Sequence, residues 1–145
     1  MSHHASAANW RPFLRALAEE VDALGGSEAR DALLREIGRR MARQHPLPET
    51  DRLDVLELDA NDALSTLGWG TVSLRMSDAD QALLIDHAGL PGVGGAGEPP
   101  GTWLSAVLEG VYEAWMTALP GADPSLSVRR VRVAPGGGIL LRYGR

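Results

Sequence analysis

The stretch GVGGAGEPPGTWLSAVLEGVYEAWMTAL, residues 92–119, decides how this chain is to be read. Its first six residues fit the pattern G-x-G-x-x-G, between an apolar run, QALLIDH (81–87), and a helical-looking segment. Strand, glycine loop and helix is the order of a dinucleotide-binding fingerprint. That fingerprint needs its helix to open at the third glycine, so that the first amides meet a pyrophosphate. Here Glu98-Pro99-Pro100 follows Gly97 instead. A carboxylate stands where phosphate charge should go, and two prolines remove amide donors. The chain has 17 glycines, so the letters alone carry little weight. Residues 92–101 read as a connector that turns on its glycines and is stiffened by its prolines.

The helix that follows, 102–119, is apolar in most directions. Trp103, Leu104, Val107, Leu108, Val111, Tyr112 and Trp115 leave only a narrow stripe for Ser105, Glu109, Glu113 and Thr117. Such a helix is buried on most sides. The rest of a small domain covers part of it, and an interface between chains is expected to cover the remainder. Those seven apolar residues are therefore the candidate oligomer interface.

Outward from this helix, the period of the apolar residues sets the other elements. A first helix is expected from Asn9 to Leu24, with Phe13, Leu14, Leu17, Val21 and Leu24 on one face. Gly25-Gly26 ends it, and Ser27 caps a second helix carrying Leu33, Leu34, Ile37 and Met41. Asp31–Arg35 and Glu36–Arg40 have helical i,i+4 spacing there. Thr50 caps a third helix, strongly acidic, whose buried face is Leu53, Leu56, Ala60, Ala63, Leu64 and Leu67. The arginine-rich second helix and this acidic one suggest charge-complementary packing, within or between chains.

After Gly68 the period becomes two. Val72, Leu74 and Met76 point one way, and Leu83 and Ile85 belong to a second strand after a short turn, which favours an antiparallel hairpin. A second hairpin is expected around Pro135–Gly138, with a bulge at Arg129-Arg130 where the phase of Leu126 and Val128 breaks from that of Val131 and Val133. The expected fold is α+β: about four helices packed with a small antiparallel sheet of two hairpins. Residues 1–8 form a loose tail and residues 9–145 a single domain.

Charge and composition exclude several functions. All 14 basic residues are arginine and the net charge is −5, a poor basis for gripping nucleic acid. Without lysine there is no Walker-type phosphate lysine and no Schiff base. Without cysteine there is no disulfide, thiol catalysis or thiolate metal site. No stretch has the ~20 apolar residues of a membrane span, and none has the pattern of a signal peptide. A cytoplasmic protein without membrane insertion is expected, the alternative being the periplasm.

Candidate chemistry is sparse. His3, His4, His45 and His87 lack metal-ligand spacing. Asp86, His87 and Ser105 would be a hydrolase triad in name only, because neighbouring strand residues face opposite ways. The carboxylates of the acidic helix, Glu57 among them, read as a solvated or arginine-paired face. Trp69, Trp103 and Trp115 read as packing residues, while Trp10, next to the tail, is the tryptophan best placed to be exposed. No catalytic, cofactor or metal site is expected.

DALLREIGRRMA (31–42), LSTLGWGTVSL (64–74), HAGLPGVGGAGEPPGTWLSAVLEGVYEAW (87–115) and GADPSL (121–126) together resemble the D subunit of bacterial cellulose synthase. GEPPGTWL followed by LEGVYEAW is the most specific part, and the likeness runs from about residue 12 to residue 128. The resemblance implies a non-enzymatic accessory subunit with no cofactor, forming a ring-like homo-octamer, a tetramer of dimers. It implies as partners the cellulose synthase complex and a proline-rich cellulose-secretion protein. Two readings stay open. In one the octamer is a scaffold that aligns synthase complexes so that glucan chains assemble into crystalline cellulose. In the other it is a channel for glucan extrusion that binds β-1,4-glucan, with Trp10 as a contact.

Overall fold

The computed structural model describes residues 11–90, 101–134 and 138–145. Its elements follow in the order α1 (Arg11–Gln44), α2 (Leu53–Leu67), β1 (Thr71–Ser77), β2 (Ala82–Ala88), α3 (Gly101–Thr117), β3 (Ser127–Val133) and β4 (Ile139–Gly144). The α+β class holds. The expected tail and the glycine connector 92–97 lie outside the described residues.

Among the described residues there are three continuous helical elements, and the first joins two helices across a kink at Gly26, where the break was expected. The helix that should stop at Gly25-Gly26 resumes at once, and Gly26 alone leaves helical geometry, at φ 82° and ψ 178°. A glycine tolerates that backbone without a Cβ clash, so the chain bends and adds no loop. Thr50 does not cap α2 directly. Its Oγ1 accepts the Arg52 N–H at 3.1 Å and orders the turn before the helix, whose cap position is Arg52.

The four strands form one antiparallel sheet in the order β1-β2-β4-β3. Both expected hairpins are present, joined through β2 and β4. The bulge falls one residue later than expected. Register shifts between Arg130 and Arg132, leaving Val131 as the extra residue, half exposed. That insertion lets Val128 and Val133 reach the same side of the sheet although five positions separate them. Rows such as Val72–His87–Ile139–Val133 and Leu74–Ile85–Leu141–Arg130 then run across the helix-facing side. Met76, expected to join them, is 63% exposed. It sits near the end of an edge strand, beyond the last bond that α2 makes to β1.

Helix α3 is the middle layer, with α1 on one side and β3 and β4 on the other, while α2 lies against β1. Helices α1 and α3 meet at two glycines, Gly38 and Gly110, where the backbones touch. Leu64, Ile85, Leu108, Ile139 and Leu141 are almost wholly removed from water. Each such burial stabilises the fold by about 1.5–3 kcal/mol.

Helix α2 also closes the edge of the sheet. The Val72 N–H donates to Asn61 Oδ1 at 2.8 Å, and Asn61 Nδ2 donates to the Val72 carbonyl at 2.9 Å. Two strand residues further along the same edge, the Leu74 N–H donates to Glu57 Oε1 at 2.7 Å. The fit is geometric: four residues of helix rise about 6 Å and two residues of strand about 6.6 Å. Side chains one helical turn apart thus imitate a neighbouring strand. The acidic face expected to be solvated or arginine-paired gives one of its carboxylates, Glu57, to this task.

Candidate functional site

The expected interface on α3 is the interior of the single chain. Leu104, Val107, Leu108, Val111, Tyr112 and Trp115 are all under 9% exposed. Trp115 also donates its indole N–H to the His45 carbonyl at 3.0 Å. This burial within one chain has a simple cause. With glycines at the crossing, α1 comes close enough to cover a whole side of α3, and the sheet covers the other. The Trp103 side chain and all of Trp10 lie outside the described residues.

Among the described residues most of the exposed large apolar side chains belong to α1 instead, with Leu58, Met76 and Val131 exposed singly elsewhere. Leu17 is 45% exposed, Leu24 81%, Leu33 44% and Ile37 38%. These come from the two stripes expected to face a core. Because α1 bends at Gly26, Leu17 and Val21 before the bend and Leu33 and Ile37 after it line one groove, floored by Leu104 and Val107 of α3. The signal was present in the sequence: α1 offers more apolar positions than one partner helix can cover.

Polar groups inside the chain serve as ties. His87 is fully buried on β2, and its Nε2–H donates to the Trp69 carbonyl at 2.7 Å. A carbonyl only accepts, so this bond fixes the tautomer and leaves Nδ1 to accept the Tyr112 hydroxyl at 2.5 Å. Burial lowers the His87 pKa below the ordinary 6.5, outweighing the opposing bond to Trp69 and the nearby Asp86 charge. Burial likewise pushes the Tyr112 hydroxyl well above the usual phenol range. Both imidazole nitrogens are committed, so the ring ties β2, α3 and the α2–β1 connection together and offers no free lone pair to a substrate. Asp86 is exposed on the opposite face, and Ser105 is buried with no hydrogen-bond partner for its Oγ. The three residues of the nominal triad are not brought together.

A second tie is ionic. Glu109 of α3, 5% exposed, lies 3.5 Å from both Arg35 Nε of α1 and Arg130 Nη2 of β3. Arg39 of α1 reaches Glu113 of α3 at 3.1 Å. Arg35 and Arg39 of α1 thus pair with the stripe of α3, where packing against the acidic helix was expected. Glu36 meets Arg39 and Arg43, while Asp31 meets Arg30 and Arg130, in place of the expected i,i+4 pairs. A buried carboxylate between two guanidinium groups fixes how the layers sit on one another, because removing either partner strands a charge. None of the helices described is long and apolar enough to cross a membrane.

What these ties hold in place is a helix-on-helix-on-sheet domain whose outward apolar side chains lie mostly on α1. A family model for the D subunit of cellulose synthase matches residues 1–144 of the chain. The chain belongs to that family. A relative called cellulose synthase operon protein D, from Komagataeibacter xylinus, is 47% identical over 118 residues, 81% of this chain and 76% of the relative. Another, of the same name, from Komagataeibacter sucrofermentans, is 46% identical over the same shares. For a chain of the D family, the surface that merits functional attention is its largest group of uncovered apolar side chains, and among the described residues that is the bent face of α1.

Proposed function

We propose that the protein is a non-catalytic accessory subunit of bacterial cellulose synthesis and secretion. It acts as a homo-octamer, a tetramer of dimers, that scaffolds synthase complexes so that glucan chains assemble into crystalline cellulose. Membership of the D family of cellulose synthase subunits supports a role beside the synthase. The observation that carries self-assembly is the apolar face of α1: Leu17, Leu24, Leu33 and Ile37 stay in water in the single chain. Contiguous apolar surface of this kind marks an association site, and covering each such side chain is worth about 1–2 kcal/mol. A second copy presenting the same bent helix offers a self-complementary cover, as in an isologous dimer. On this proposal the assembly is cytoplasmic, with the synthase complex and the proline-rich secretion protein as partners. Cell fractionation that finds the untagged protein in the periplasm overturns that placement.

The channel reading has one observation in its favour. Trp10 immediately precedes in sequence Arg11, the first residue of α1, the helix that carries the proposed contact. On that reading the protein binds cello-oligosaccharides, and removing residues 1–10 abolishes the binding. Unchanged binding after the truncation, or none before it, leaves the scaffold alone.

A further inference from the structure

The sheet treats its two edges differently. On β1 the outward Val72 N–H and carbonyl and the Leu74 N–H are bonded by Asn61 and Glu57 of α2. On β3, among the described residues, the backbone bonds to β4 alone and its outer edge is unpaired. The face of the sheet turned away from the helices is also unusual. Strand register aligns Arg75, Leu84, Arg142 and Arg129 in one row, and Ser73, Asp86, Leu140 and Arg132 in the next. Four arginines thus share this face with one carboxylate, on a chain whose net charge is −5. Asp78 and Asp80 stand at its end, in the turn between β1 and β2. Among the described residues Arg75, Arg129 and Arg132 are exposed and make no ion pair, and Arg142 donates to the backbone carbonyls of Asp80 and Arg145.

The bulge at Val131 is what brings two of these arginines together. Arg129 and Arg132 are three residues apart, which in a regular strand puts them on opposite faces. The extra residue places them opposite Arg142 and Leu140, two ladder positions apart and on one face. A second copy of β3 laid on this edge would set arginine against arginine, which is repulsive, so the edge is guarded against its own kind. The same charges attract a strand of opposite sign.

We propose that β3 accepts an extended acidic segment of a partner polypeptide as a fifth strand. Main-chain bonds to the open edge supply the pairing, and acidic side chains at alternate positions meet Arg129 and Arg132, with Arg142 one strand further in. This surface lies across α3 from the apolar face of α1, so it serves a different partner from the one that closes the octamer.

The test uses the full-length chain and a fluorescent peptide about as long as β3, alternating glutamate and valine, followed by anisotropy. Saturable, salt-sensitive binding is expected, with a glutamine–valine peptide about tenfold weaker or worse. An Arg129→Glu/Arg132→Glu variant loses the acidic peptide and gains a lysine–valine one, which also shows that it has folded. Methylating alternate backbone nitrogens of the acidic peptide weakens it by about tenfold, because a methylated amide cannot join the ladder. Absent or charge-independent binding overturns the proposal. So does equal affinity for the methylated peptide, or binding to anionic phospholipid vesicles in place of the peptide.

Discussion

Gly38 and Gly110 face each other's helix at the crossing of α1 and α3 with no room for a side chain. A Cβ on Gly38 would lie 2.0 Å from the Val107 carbonyl oxygen, and one on Gly110 would lie 2.0 Å from that of Arg35. Each obstacle is backbone, which cannot swing aside as a flexible side chain can. This reciprocal contact brings α1 close enough to cover one side of α3, where Val107 is 3% exposed, while the sheet covers the other.

Gly38→Ala and Gly110→Ala should each push the helices apart and cost about 3 kcal/mol, at the upper end of overpacking penalties. Urea unfolding followed by far-ultraviolet circular dichroism measures this directly. A glycine at a helix interior normally gains from replacement by alanine, so even a neutral result contradicts the packing described.

The His87 tie makes stability depend on pH. Its folded pKa lies below the unfolded 6.5, so the unfolded chain binds a proton first as pH falls. The contribution is whole above pH 6.5 and shrinks as pH drops through that value towards the folded pKa. Unfolding free energies measured from pH 8 to pH 5 should decline below about 6.5, and a His87→Gln variant should show a flatter profile over the same range. Tyr112→Phe leaves Nδ1 without its donor and should cost about 1–3 kcal/mol at neutral pH. A profile that stays level in the wild type removes this role from His87.

Asn61→Ala unpairs both backbone groups of Val72 that it now satisfies. A loss of about 1–2 kcal/mol is expected, limited by the access of water to an edge strand. The exposed edge also becomes available for pairing, so aggregation on warming should start earlier, as light scattering reports. Asn61→Asp should restore only the acceptor half and fall between the two.

Substitutions on α3 and on α1 should separate folding from assembly. Trp115→Ala opens a cavity in the core and strands the His45 carbonyl, at about 3–5 kcal/mol, so the monomer itself is weakened. Leu24→Ser, at a position 81% exposed, should leave the fold of the isolated chain intact while weakening association. Chemical denaturation and solution mass, read on the same samples, distinguish the two classes.

The sequence makes some of this visible and hides the rest for identifiable reasons. The apolar girth of α3, the two hairpins and the closing strands follow from local period, and the family likeness follows from GEPPGTWL and LEGVYEAW. What covers α3 does not follow, because it depends on Gly38 meeting Gly110 from far along the chain, and glycines carry no pattern that announces such a contact. Gly25-Gly26 reads as a stop signal, and the break falls at Gly26, where the next helix starts with no loop between, which the letters alone do not show. Glu57 reads as part of a solvated or arginine-paired face, and Asn61 carries no signal of its own, since their match to the strand edge exists only once α2 and β1 are side by side. The groove on α1 shows in the sequence only as a surplus of apolar positions, because an apolar stripe shows that a face is buried but not by which molecule.

Self-assembly through that groove is the centre of the account, and solution mass tests it most directly. Light scattering on the purified full-length chain at micromolar concentration should give eight times the 15.5 kDa chain mass. A Leu17→Asp/Ile37→Asp variant should fall to a smaller species while keeping its helical spectrum, since a buried unpaired charge costs several kcal/mol at an interface. A wild-type monomer of 15.5 kDa, or an octamer that survives both substitutions, would contradict it.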